Sequence, residues 1–405
     1  MKNMNTESLL QTYFLEKNSS ANTQRIYKKV VSLFEEHTQK TLTEIINIAE
    51  AEEQKVKWQK STLYHCLISF RKHLYERFQP STAKMYFTVI KAIIKHFDIN
   101  ILPLKGFSTT KYQKVELTPE DIITQEELKL CVEVKNPLVK ASSITMAQMG
   151  FALIDLLNLT IMDYYNSTSE YHSNPRNVNE MIHELNQAED VVPIFKKLTR
   201  QKTGRQYDAI GSPEVVKAIN NYLLYREKKE KESIERYNKK HPANPKIYPG
   251  LQLTDPLFKT NHGSLERMFR EVNDAVGLGK AGNYVKFSPH MMRRFHATQL
   301  HEAGMSEHKI NLLQGRKPQE VIHKSYLRVR LDVLRDEYIQ CLPFLLVDDV
   351  NRVKSELDLI KDENVSLREE NFKYKSMFDE IDSRLQKLEG RRSSGFDVDE
   401  FDDVI

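Results

Sequence analysis

Apolar residues recur at helical spacing through most of this chain. From Ser20, the run Ser-Ala-Asn-Thr-Gln-Arg-Ile-Tyr-Lys-Lys-Val-Val-Ser-Leu-Phe opens on capping side chains and then sets Ile26, Val30 and Phe34 on one face, which predicts a helix. Pro80-Ser-Thr-Ala-Lys predicts the start of another, with Tyr86, Ile90, Ile93 and Ile94 as its apolar stripe and Lys84, Lys91 and Lys95 elsewhere around it. Residues 1–102 therefore read as a helical bundle. Over 103–120 the periodicity disappears among Pro103, Gly106, Pro119 and interspersed Ser, Thr and Lys, the composition of a linker.

Beyond the linker, an apolar helix is expected over 143–159, then a polar loop and helix over 165–188. Residues 191–210 read as two strands turning at Thr203-Gly204, and helices follow from Ser212 to about 340. The expected fold class is mainly α with a small β-sheet, α+β, with a second unit over 121–345.

The last pattern is different. Positions 350, 357, 364, 371, 378 and 385 alternate with 353, 360, 367, 374, 381 and 388, and all are apolar or aromatic except Asn364 and Asn371. Six heptads of this kind predict a coiled coil over 346–390, and asparagines at equivalent seam positions favour two strands. The expected role is self-association, with a helix folded back on its own chain as the alternative. Residues 391–405 are acidic and read as a disordered tail.

Charge divides along the same boundary. The formal net charge is +4, but 349–405 holds ten Lys/Arg against sixteen Asp/Glu, which leaves 50 against 40 in 1–348. A mildly basic body suits a polyanionic partner, although such an excess is also common on ordinary surfaces. No apolar run approaches the roughly 18 to 20 residues of a membrane span. The three cysteines, Cys66, Cys131 and Cys341, are far apart and odd in number, which fits a reducing cytoplasm better than a disulfide framework or a zinc site.

Candidate chemistry concentrates near the end of the second unit. Ser288-Pro289-His290 reads as a helix start, and His290 and Arg293 are three apart, on one helix face. Arginine grips two phosphate oxygens with a planar fork, and histidine can steady the same oxygens or handle a proton. Alone, a His-x-x-Arg pair is usually surface decoration. Here it is followed by Leu312-Leu-Gln-Gly-Arg and then by Tyr326, whose phenol, with an ordinary pKa of about 10, needs such cations to attack phosphorus.

This order resembles the tyrosine recombinase (phage-integrase) family, in particular the integrases of archaeal viruses and mobile elements. The resemblance implies a helical core-binding, DNA-clamping domain over 1–102 and a catalytic domain over 121–345. It implies Tyr326 as nucleophile and His290, Arg293 and Arg316 as phosphate ligands, with Arg316 standing where much of the family carries His or Trp. In the hairpin, Lys202 matches the lysine that protonates the leaving 5′ oxygen, and Lys197 competes with it. Asp155 matches a supporting acidic residue, and Arg200 and His323 are further candidates. One position departs from the pattern: Ala152 stands where the family has its first catalytic arginine, and Arg200, Arg205 and Arg294 are the candidates to replace it.

The function implied is site-specific recombination or integration of double-stranded DNA through a 3′-phosphotyrosyl intermediate, carried out by a homo-oligomer paired through the coiled coil and tetrameric on DNA. No cofactor and no metal are implied, no membrane is involved, and the expected location is cytoplasmic and nucleoid-associated. The alternatives are a non-catalytic DNA-binding protein on the same scaffold, suggested by Ala152, and a type IB topoisomerase.

Overall fold

The computed structural model describes residues 5–109, 112, 118–134, 136–282, 284–316 and 329–393. It is mainly helical with two small antiparallel sheets, and the chain divides into two compact units, Met1–Glu116 and Leu117–Ile405.

Among its described residues the first unit holds five α-helices: α1 (Thr6–Glu16), α2 (Ala21–Thr38), α3 (Leu42–Glu52), α4 (Thr62–Arg77) and α5 (Pro80–His96). Their starts follow from local chemistry. Ser20 accepts a hydrogen bond from the Thr23 N–H, Thr41 and Glu44 satisfy each other's backbone donors in a capping box, and Pro80 takes the first turn of α5, where no N–H is missed. Phe34, Leu67, Phe70, Ile90 and Ile94 meet in a core with no exposed surface.

The second unit is built around α7 (Pro137–Met149), which follows α6 (Gln125–Glu133) and is buried along most of its length. The expected single helix over 143–159 is two. Gly150 ends α7 in the left-handed conformation, φ +69°, and the chain restarts as α8 (Leu153–Leu157) with Ala152 at its N-cap. Next come α9 (Ile161–Ser167) and α10 (Val178–Gln187), then an antiparallel hairpin of β1 (Ile194–Thr199) and β2 (Gln206–Ile210). A bulge between Phe195 and Leu198 puts Lys197 in the left-handed region, φ +57°, where its N–H donates to Asp208.

The 28-residue α11 (Pro213–Lys240) packs on α7 and precedes α12 (His262–Val276). A minimal ribbon, β3 (Lys280–Ala281) with β4 (Tyr284–Val285), interrupts the helices expected after Ser212. Next are α13 (Pro289–Glu302), which also packs on α7, and α14 (Glu307–Leu313). After residues 317–328, which lie outside the description, α15 (Leu331–Gln340), α16 (Leu342–Leu345) and the 45-residue α17 (Asp349–Ser393) follow as the last described elements.

The entry to α17 is tied down. The buried Glu214 carboxylate accepts from the Val347 and Asp348 N–H groups at 2.9 and 3.2 Å, and Gln125 donates to the carbonyls of Pro343 and Leu346. Among the described residues no helix is long and apolar enough to cross a membrane, and no group of His, Cys, Asp or Glu side chains could hold a metal ion.

Candidate phosphate-binding site

Three consecutive carbonyls, those of Gln314, Gly315 and Arg316, are each held by a different arginine. Arg293 on α13 donates to Gln314 at 2.5 Å, Arg200 at the end of β1 donates to Gly315 at 2.9 Å, and Arg205 before β2 donates to Arg316 at 2.5 Å. Arg293 donates its second terminal nitrogen to the Gly150 carbonyl at 2.6 Å, joining the end of α7 to the same turn. Four separate stretches of chain therefore converge on residues 314–316.

The turn's shape explains its glycine. Gly315 sits at φ +60°, and a Cβ there would lie 2.8 Å from the Tyr207 ring, so both conformation and contact demand its absence. Gly150 is similar: a Cβ would come within 2.7 Å of His296 Nδ1. Gln314 fills the space behind, its amide donating to the Arg293 carbonyl at 3.0 Å and meeting His296 Nδ1 at 2.9 Å.

Asp155 fixes the hairpin. Its Oδ1 accepts from the Gln201 N–H at 2.9 Å, so a buried carboxylate on α8 positions the residue next to Arg200. Ala152, one turn earlier at the N-cap, contributes only a methyl group.

The electrostatics are those of a cation cluster in which arginines outnumber the carboxylates beside them, Asp155 near Arg293 and Glu307 near Arg316. Burial, followed by the charges of Arg200 and Arg316, holds the Arg293 guanidinium down to about 9. Arg316 is lowered by burial and by Arg200 and Arg294. Fully buried His296 is held down to about 3 by loss of hydration, with Arg293 and Arg316 adding to it. His290 is lowered by partial desolvation and then by Arg294, Arg316 and Arg293, which keeps it neutral at pH 7. Arginine repelling arginine at close quarters is unfavourable unless an anion arrives to share them.

Unspent hydrogen-bonding capacity points the same way. Arg200 Nε, the Tyr207 hydroxyl and His296 Nε2, which can donate to an anion, are buried without a partner among the described residues, as are two acceptors that an anion cannot satisfy, Asp155 Oδ2 and Gln314 Oε1. Each guanidinium has five N–H donors, and the clasped carbonyls occupy only one or two of them.

The site residues expected from the sequence fall into three groups. Arg293, Arg316, Arg200 and Asp155 are brought together around residues 314–316. His290 stands at the exposed start of α13, electrostatically coupled to Arg293, and Ser288, expected as a cap, occupies the N-cap without a side-chain capping bond. Lys202 is exposed in the β1–β2 turn, and Lys197 is exposed on the bulge. Tyr326 and His323 lie outside the described residues.

The sequence reading missed Gln314, Tyr207 and His296, which shape the turn. His296 follows Arg293 by three residues, so the helical spacing that drew attention to His290 could have found it. Arg294 cups the Tyr284 ring at 5.3 Å, beside His290.

Neither a family model nor a curated protein matches this chain. Among solved structures it is similar to the XerA recombinase, at 17% identity over 83% of this chain and 97% of that one, with a TM-score of 0.31. It is also similar to the Tn1549 transposon integrase in complex with circular intermediate DNA, at 15% identity over 82% and 98%, TM-score 0.42. A third is a lambda integrase dimer bound to a COC′ core site, at 15% identity over 81% and 100%, TM-score 0.37. These likenesses are distant, and the functional argument rests on the site itself.

Proposed function

We propose that this protein is a tyrosine recombinase that cuts and rejoins double-stranded DNA through a covalent phosphotyrosine, and that Arg200 does the work of the arginine absent at position 152. The observation that carries this reading is the cluster of Arg293, Arg200 and Arg316, mutually repelling and gathered on one turn. A phosphodiester supplies the negative oxygens that such a cluster is short of, and the charge developing on phosphorus in the transition state strengthens the same contacts.

In the proposed reaction the Tyr326 oxygen attacks phosphorus and its proton passes to His290, which is neutral at pH 7. The bond from phosphorus to the 5′ oxygen breaks, and Lys202 gives that oxygen a proton. A 5′ hydroxyl of another strand then attacks the phosphotyrosine and reverses each transfer. The bond energy is conserved, so strand exchange needs no external energy source. The expected setting is a mobile element, with the archaeal-type integrases as the nearest pattern, and the working assembly is an oligomer on DNA.

Ala152 favours a second reading, a DNA-binding protein that keeps the scaffold and has lost the chemistry. Single-turnover cleavage separates the two. Wild type is incubated with a pool of nicked duplexes of randomised sequence, and the covalent adduct is counted on denaturing gels. Arg200→Ala is expected to slow adduct formation by about 10²- to 10³-fold with little loss of DNA binding, and adding Ala152→Arg to it is expected to restore part of the rate. DNA binding by wild type without adduct would establish the second reading. An unchanged rate in Arg200→Ala would remove Arg200 from the mechanism.

A further inference from the structure

We infer that α17 binds a second copy of this chain as a parallel, in-register two-stranded coiled coil. The helix is 45 residues long, about 67 Å at 1.5 Å per residue. Among the described residues its seam stands open: Leu357, Ile360, Leu367, Tyr374, Phe378 and Ile381 are each between 48% and 66% exposed. A stripe of large apolar side chains this long is covered in a stable protein, and the heptad spacing matches another helix of the same repeat.

The flanking charges identify that helix and its direction. Immediately before three successive first-seam positions stand Glu356, Glu363 and Glu370, and immediately after the matching second-seam positions stand Lys361, Arg368 and Lys375. In a parallel, in-register pair, each such glutamate faces the second copy's cation five residues further along, so all three pairs attract on both sides of the seam. In an antiparallel pair, glutamate meets glutamate and cation meets cation at the centre of the zipper. The pattern begins one heptad in, because Asp349 and Lys354 are already paired with Lys129 and Asp190 of their own chain. Lys361 is also held by Asp358 at 2.9 Å, and an ammonium keeps further N–H donors for the second copy.

Asn364 and Asn371 make the same choice. Parallel pairing in register sets each against its own copy, amide to amide. Antiparallel pairing sets first-seam against second-seam positions, and buries the amides against Leu367 and Tyr374 without partners. The Glu214 anchor at residues 347–348 fixes the root of the helix, so parallel pairing holds the two roots at the same end of the zipper.

The test uses the full-length protein and its mass in solution at low micromolar concentration. Wild type is expected to be a dimer. The triple variants Glu356→Lys/Glu363→Lys/Glu370→Lys and Lys361→Glu/Arg368→Glu/Lys375→Glu are each expected to be monomers, their equal mixture a dimer, and the sixfold variant a dimer again. An antiparallel pair would treat wild type and both triple variants alike, which overturns the proposal, as does a monomeric or trimeric wild type. Val353→Cys, in a Cys66→Ser background, is expected to cross-link the dimer on mild oxidation, and failure to do so contradicts the register. Circular dichroism confirms that each variant is folded. The inference does not depend on the recombinase reading, and a monomeric wild type would leave that reading standing.

Discussion

The cation cluster and the seam of α17 invert the usual arrangement in opposite ways. Around residues 314–316, charged groups occupy space where apolar side chains normally pack, and Arg293 is only 4% exposed. Along α17, large apolar groups stand in solvent where charge normally stands. Each inversion costs free energy in the isolated chain, and the complement we propose for each would relieve it: a phosphate for the cluster, a matching helix for the seam. They differ in construction. The cluster is held by four long-range hydrogen bonds, so it is preformed, whereas the seam belongs to one helix that, among the described residues, is fixed at its root.

The comparison can be broken at several points. The largest effect is expected at Arg293. Arg293→Ala removes a preorganised cation and should slow cleavage of nicked duplexes by about 10²- to 10³-fold, or about 2.7 to 4 kcal/mol in the barrier. A single-turnover rate within threefold of wild type would mean that the cluster is structural. Next is Gly315→Ala, where a left-handed backbone and a contact with Tyr207 combine to cost about 2 to 3 kcal/mol of stability. Urea unfolding measures it, and an unchanged midpoint would show that the turn is not rigid.

A pH titration probes the same cluster. His296 is held down to about 3 from an ordinary 6.5, so between those values the folded state binds fewer protons than the unfolded chain. Stability is therefore lost as pH falls through this window, by about 1.4 kcal/mol per unit, or about 2 kcal/mol at pH 5. His296→Gln is expected to remove that part of the slope in denaturant titrations, and a slope unchanged by the substitution would locate the titration elsewhere. The smallest effect belongs to the seam. Phe378→Ala should move the unfolding of the second unit by less than about 0.5 kcal/mol and act on self-association instead, whereas Phe295→Ala in the core should cost about 3 to 5 kcal/mol. Comparable losses would erase the distinction between the regions.

Much of the fold was legible because its causes are local. Capping side chains and apolar spacing at Ser20 and Pro80 mark the starts of α2 and α5, and Thr203-Gly204 marks the hairpin turn. The break at Gly150 was hidden because the residues on both sides continue an apolar run, and only the left-handed φ interrupts it. The ribbon at 280–285 was hidden because two-residue strands carry no period. In the site, helical spacing could pair His290 with Arg293, whereas Arg316 came in through the resemblance. The clasp on three successive carbonyls could not, since Arg200 and Arg205 reach across more than a hundred residues. Arg200 resembles any hairpin arginine until Asp155 is seen to hold its neighbour.

The most direct test of the central claim is chemical identification of the residue that becomes attached to DNA. Wild-type protein trapped on nicked randomised duplexes is digested with protease, and the nucleotide-bearing peptide is sequenced by mass spectrometry. The account predicts a phosphotyrosyl bond at Tyr326, lost in Tyr326→Phe and strongly reduced in Arg293→Ala. A linkage to any other residue, or bound DNA with no covalent product, would contradict it.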